Sequence, residues 1–201
     1  PKVPRVLVFI DSSVLAAQPD LAESIRSYTH AHSEVMELAA EPVILPGGEP
    51  CKNDFRLLEQ CWAAIDAAAL DRHSYVFVVG GGAILDLGCF AASTAHRGIR
   101  HVRFPTTTLS QGDGGVGVKN GINFFGKKNW LGSFSVPFAI INDFAFLESL
   151  PERERRNGII EAIKVSLIRD GAFFEELESM APALAALEQS ALERVVQRSA
   201  E

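Results

Sequence analysis

Between Phe104 and Gly121 the chain reads FPTTTLSQGDGGVGVKNG, one aspartate and one lysine among threonines and glycines. An acid and a base on a backbone free of bulk can hold a hydroxyl and a phosphate, or relay a proton. The run has too much glycine for a helix and too few large apolar residues for a core strand. A polar loop this long between two apolar runs carries function more often than not; its bland reading is a solvated connector. Gly126-Lys-Lys-Asn129 and Arg97 lie close by in sequence. Lys119, Lys128 and Arg97 together suffice to neutralise a phosphate, with Thr106, Thr107, Asp113, Asn120 and Asn129 as polar company.

Three further groups could do chemistry. Val79-Gly-Gly-Gly82 runs from an apolar strand into a helix that carries Asp86. Glycines let backbone N–H groups approach a pyrophosphate, and the helix start adds partial positive charge. The spacing is not GxGxxG, and a tight strand-to-helix turn is the plain alternative. Asp11 ends the first apolar run, where an acid can accept bonds from ribose hydroxyls; taken alone it is equally a helix cap. Gly47-Gly-Glu-Pro-Cys-Lys52 is by itself a turn with one acid, Glu49, and one base, Lys52. Glu161 sits among Ile159, Ile160 and Ile163 on a helix with a buried stripe, so it needs a cation or a metal; a surface pair with Lys164 at i,i+3 is the alternative.

The elements that position these residues alternate. Strands are expected at 5–10, 42–45, 75–79, 101–104 and 138–142, and helices at 19–39, 54–72 and 83–96, with Asn53 or Asp54 as a cap. Continuous apolar strands alternating with helices predict a parallel sheet covered on both faces. From Ser149-Leu-Pro-Glu152, a capping-box pattern, only helical periodicity follows, broken at Asp170-Gly171 and near Pro182. That places a domain boundary near residue 149.

The 201 residues carry a net charge of −6, which gives no basic footprint for nucleic acid and no attraction to an anionic membrane. No apolar run approaches the roughly 20 residues of a membrane span. Cys51, Cys61 and Cys89 fit no zinc spacing and read as buried thiols of a cytoplasmic protein. The histidines form no ligand pair.

In their order, Gly80-Gly-Gly82 with Asp86, AHRGIRHVRFPTT at 95–107, Asp113 with GVGVKNGIN to residue 123, GKKN at 126–129 and LPERE…GIIEAIK at 150–164 resemble the dehydroquinate synthase superfamily of sugar-phosphate cyclases. The resemblance spans about residues 5–201. GVGVKNGIN followed by FGKKNWLGSF is more similar to the epi-valiolone synthase branch. Dehydroquinate synthase itself usually has Asp-Ser-Ser and Lys-Thr where this chain has Asp113-Gly-Gly115 and Lys119-Asn120, a difference that bears on substrate.

The resemblance implies a Rossmann-like NAD-binding domain over 1–148 and the start of an all-α metal and substrate domain over 149–201. It implies transient oxidation by NAD, β-elimination of phosphate, return of the hydride and an intramolecular aldol closure, with zinc or cobalt as the divalent metal. Carried over by position, Asp11, Glu49, Lys52, Gly80, Gly81, Gly82, Asp86, Thr106, Thr107 and Lys128 would bind the cofactor. Asp113, Lys119 and Lys164 would be catalytic. Arg97, Lys119 and Asn129 would hold substrate and phosphate, Arg97 within its own subunit or across a homodimer. Glu161 would ligate the metal, with histidines beyond residue 201 as the other ligands, so this chain alone would bind metal weakly and turn over nothing. Sedoheptulose 7-phosphate is the expected substrate. Dehydroquinate synthase proper, a metal-dependent polyol or glycerol-phosphate dehydrogenase, and a catalytically dead nucleotide-binding scaffold are the alternatives.

Overall fold

The computed structural model describes residues 3–201. Its centre is a parallel sheet. β1 (Arg5–Asp11) pairs along one side with β4 (Tyr75–Gly80). Along its other side it takes β2 (Glu37–Leu38) at its start and β3 (Val43–Leu45) at its end. β5 (Arg100–Pro105) lies on β4, and β8 (Ala139–Ile140) on β5. Parallel neighbours need crossovers. α1 (Ser12–Ala17) and α2 (Leu21–Ala31) lead from β1 to β2, α3 (Phe55–Ala67) from β3 to β4, and α4 (Gly82–Thr94) from β4 to β5.

Side chains alternate across the sheet with period two. Leu7, Phe9, Val76 and Val78 pack with α3 and α4; Val6, Val8, Ile10 and Val79 pack with α1 and α2. Both faces are covered, as the unbroken apolar strands require. Cys51, Cys61 and Cys89 are free and buried, and burial pushes each thiol up to about 12.

Several boundaries differ from expectation. The helix expected over 19–39 stops at Ala31, because the backbone of Arg5 and Val6 offers a partner to Glu37 and Leu38. α3 ends at Ala67 rather than Arg72: Ala69 takes φ +46°, and the Asp71 carboxylate accepts from the His73 N–H at 2.8 Å and the Ser74 hydroxyl at 3.0 Å. The strand expected at 138–142 shrinks to Ala139–Ile140.

The glycine-rich run is not one loop. Beyond β5 the chain winds a helical turn that closes as a π-turn at Ser110–Gly114. β6 (Lys119–Phe124) then pairs antiparallel with β7 (Lys127–Phe134), so the Lys-Lys-Asn run opens a strand. Glycine is required where backbones meet. A β-carbon at Gly115 would lie 2.5 Å from the Ser110 carbonyl oxygen, and one at Gly121 would lie 2.6 Å from that of Leu131.

The helical part holds α5 (Ala145–Glu148), α6 (Glu152–Arg169), α7 (Gly171–Ser179), α8 (Ala181–Ala185) and α9 (Gln189–Ala200). Phe173, Leu177, Leu184, Leu192 and Val195 form its own apolar cluster with Ala162 of α6. The capping box at Ser149 does not form; the Ser149 hydroxyl donates to the Phe146 carbonyl and finishes α5, while α6 starts behind Pro151. Asp170 does cap α7, accepting from the Phe173 N–H at 3.0 Å. The joint between sheet and helices is a near backbone-to-backbone contact. The Thr108 hydroxyl accepts from the Gly158 N–H at 3.1 Å and donates to the Glu154 carbonyl at 2.8 Å. A β-carbon on Gly158 would lie 2.5 Å from that of Thr108. Among the described residues, no helix is long and apolar enough to cross a membrane.

His101 is buried on β5, its Nε2 has no hydrogen-bond partner among the described residues, and burial lowers its pKa to about 4. The folded state therefore refuses a proton that the unfolded chain takes near pH 6.5. The resulting stability is intact above that pH and falls as pH drops toward 4, by about 3 kcal/mol in all. Urea unfolding of wild type and His101→Gln across pH 4–7 should show the extra slope in wild type only; parallel curves would refute it.

Candidate active site

The chain leaves β1 toward β2 and β3 on one side and toward β4, β5 and β8 on the other. Open parallel sheets bind ligands at such a switch, beyond the carboxyl ends of the strands. Here the ends of β1 and β4 border a cleft of about 870 Å³ lined by Asp11, Glu49, Lys52, Gly81, Gly82, Asp86, Thr106 and Thr107. Sequence reasoning had grouped all of these as cofactor residues.

Each has a local reason for its place. Asp11 Oδ1 accepts from both the N–H (2.8 Å) and the hydroxyl (2.6 Å) of Ser13, so Asp11 caps α1 and borders the cleft at once. A β-carbon at Gly47 would lie 2.1 Å from that oxygen. Gly80 forms the floor rather than the lining: its carbonyl accepts the Thr106 N–H at 3.1 Å, and a β-carbon there would strike Ile84. Beyond its own chain neighbours and helix backbone, no described residue lies within 4 Å of a β-carbon built on Gly82, which opens onto the cleft. The first-turn N–H groups of α4 have no intrahelical partner, as at any helix start, and aim partial positive charge at that space. Open glycine, free donors and an acid opposite fit a dinucleotide pyrophosphate and ribose.

A buried network closes one wall. The Lys52 ammonium, 4 % exposed, donates to Asp86 Oδ2 and to Asn129 Oδ1. Burial raises the Asp86 pKa, against the pull of Lys52 and of the more distant Arg103. Asn123 joins the set: it accepts from the Asn129 N–H at 2.8 Å and donates to Glu49 Oε1 at 3.1 Å. Sequence reasoning gave Asn123 no role, although it lies in the quoted motif.

Leu109 lines this cleft and a second groove of about 440 Å³. That groove holds Asp113, Lys119, Glu161 and Lys164, residues drawn from three separate stretches of chain. Glu161 and Lys164 are ion-paired; that hydrogen bond and, more weakly, Asp113 raise the Lys164 pKa and keep it a cation. Arg169 lines the groove as well and was missed. Its signal was the i, i+4, i+8 spacing of Glu161, Val165 and Arg169 on one helix.

Three residues stand away from the two pockets or outside the setting that the sequence suggests. The buried stripe of α6 is Gly158, Ala162 and Ser166, while Ile160 is 65 % exposed; Glu161 borders the groove and not an isoleucine layer. Lys128 is 78 % exposed and sits 3.7 Å from Glu49, outside the cleft lining. Arg97 lies before the start of β5, roughly 20 Å along the strand from the cleft, and enters neither pocket. Among the described residues, no group of three or more His, Cys, Asp or Glu is placed to hold a metal ion, so Glu161 alone does not fit a complete metal site.

Residues 42–157 match the family model for the 3-dehydroquinate synthase N-terminal domain. A 3-dehydroquinate synthase of Geobacter sp. (strain M21) is 45 % identical over 158 residues, covering 79 % of this chain and 43 % of the relative. One from Nitrosospira multiformis is 39 % identical over 195 residues, covering 97 % of this chain and 51 % of the relative. The chain thus spans about half the length of the curated relatives it matches. The solved 2-epi-5-epi-valiolone synthase of Streptomyces hygroscopicus subsp. jinggangensis 5008, with NAD+ and Zn2+ bound, superposes with a TM-score of 0.86 at 31 % identity, covering 98 % of this chain and 53 % of that one.

Lys52→Met strands the Asp86 carboxylate in a poorly solvated wall, at an expected cost of about 3 kcal/mol. Adding Asp86→Asn should restore part of it. Urea unfolding of the single and double variants decides; simple addition of the losses would show that the pair is not coupled.

Proposed function

This chain belongs to the 3-dehydroquinate synthase family, and from that premise we propose that it supplies the NAD site and part of the substrate site of a sugar-phosphate cyclase. The observation that carries the reading is the meeting, at Leu109, of a dinucleotide-sized cleft with a groove bearing both cations and carboxylates. Residues 1–148 form the NAD-binding part of this reading and 149–201 the start of the helical part.

Bound NAD supplies a reversible hydride acceptor. Gly81, Gly82 and the start of α4 hold its pyrophosphate, Asp11 its ribose, and Thr106 and Thr107 the end nearest the groove. Lys119 and Lys164 hold the sugar phosphate, with Asn129 behind Lys52 at the border. Asp113 accepts a hydroxyl hydrogen bond and orients the carbinol toward the cleft. Once that carbinol is a ketone, the neighbouring C–H is acidic and phosphate leaves by β-elimination; return of the hydride, ring opening and an aldol step close the carbocycle. Among the described residues, Glu161 is the one ligand offered to a zinc or cobalt ion. One carboxylate makes a weak site, so the 201-residue chain alone is expected to release no phosphate.

We assign sedoheptulose 7-phosphate as substrate. Gly115, with no room for a serine side chain, and Asn120 support this, as does the likeness to the epi-valiolone synthase. Dehydroquinate synthase proper is the second reading, favoured by relatives up to 45 % identical. A plain polyol dehydrogenase has no use for the cations of the groove. The reading includes a homodimer in which Arg97, idle in its own subunit, serves the neighbour.

The test supplies NAD, zinc and either sedoheptulose 7-phosphate or the heptulosonate phosphate of dehydroquinate synthase to the protein at its natural length. Phosphate release from the first alone supports the assignment, and from the second alone the other reading; silence with both removes both substrates and leaves a different sugar phosphate or the catalytically dead scaffold. Separately, Gly82→Val should weaken NAD binding by about tenfold or more in calorimetry without lowering the melting temperature. Unchanged affinity would remove the pyrophosphate from Gly82.

A further inference from the structure

The middle of β5 carries an arginine where the sheet core calls for an apolar side chain. Arg103 is 1 % exposed. Its Nη1 donates to the carbonyls of Gly115 at 2.9 Å and Gly117 at 2.6 Å, and its Nη2 to Asn120 Oδ1 at 2.5 Å and the Lys119 carbonyl at 3.4 Å. Every one of these acceptors belongs to the stretch that leaves the π-turn and runs into the first two residues of β6. A buried guanidinium is costly to desolvate, and an aliphatic residue would fill the same space. What the charge adds is a fork of fixed geometry gripping one segment at several points.

We propose that Arg103 is a positioning residue for the sugar-phosphate groove, holding the 115–120 segment in the one shape that presents Lys119. Lys119 has its own carbonyl within reach of the fork, and its neighbour Asn120, 5 % exposed, is the fork's side-chain acceptor. Asn120 also donates to the Val118 carbonyl at 3.3 Å, closing the segment on itself. At the other end the close contact of Gly115 with Ser110 fixes the exit from the π-turn that carries Asp113. The Arg103–Asn120 pair thereby sets the separation of Asp113 and Lys119, and with it which sugar phosphate fits. The inference rests on the reading that this groove takes the sugar phosphate.

The experiment uses the natural-length protein and its Arg103→Met, Asn120→Leu and Asn120→Asp variants. Amide hydrogen exchange followed by mass spectrometry should speed up about tenfold or more at 115–120 in Arg103→Met and Asn120→Leu, with 80–86 unchanged. The KM for the sugar phosphate should rise by about tenfold or more, while the NAD Kd stays within about threefold. Asn120→Asp, which keeps the acceptor, should restore most of both. The proposal is overturned if exchange at 115–120 and KM are unchanged in a folded variant, or if KM and NAD Kd worsen together. Should Arg103→Met fail to fold, Asn120→Leu alone decides by the same readouts. Should wild type release phosphate from neither sugar phosphate, both substrate readings fall, and the exchange pattern still decides whether Arg103 holds the segment.

Discussion

An ammonium group almost cut off from water holds together the cleft at the carboxyl ends of β1 and β4. Lys52 stands on the short turn after β3, yet its partners are Asp86 on α4 and Asn129 on β7. A lysine buried this far survives only with acceptors close at hand, so the turn, the helix and the hairpin must come together for any of them to be stable where they are. Asn129 takes a left-handed backbone, φ +51°, to meet it, and Asn123 steadies that conformation by accepting the Asn129 N–H. One wall of the cleft is thus set by hydrogen-bond demand and not by apolar packing.

The same demand explains what could be read in advance. β1 and β4 were legible because a strand covered on both faces is a continuous apolar run. The glycine turn before α4, the cap at Asp54 and the helix break at Asp170-Gly171 were legible because each rests on local chemistry. The hairpin was not. β7 is exposed along most of its length, so it shows neither an apolar run nor a clean alternation, and its lysines read as loop. Asn123 and Arg103 were hidden for a common reason: each acts on partners away from it in sequence, and no local pattern announces a distant acceptor.

Site residues divide the same way. Those on the rim of the sheet, from Asp11 to Thr107, could be placed from strand ends alone. Glu161, Lys164 and Arg169 meet Asp113 and Lys119 only because α6 docks on the turn after β5. On an acidic chain of net charge −6 this is a local gathering of cations, and composition gave no hint of it.

The contact of Gly158 with Thr108 has a mechanical meaning. Both hydrogen bonds run through the Thr108 hydroxyl, and because Gly158 has no side chain its backbone lies against the Thr108 β-carbon, so the contact leaves no slack. It acts as a fixed spacer between helix and sheet, and Glu161, one turn further along α6, takes its place beside Asp113 from it.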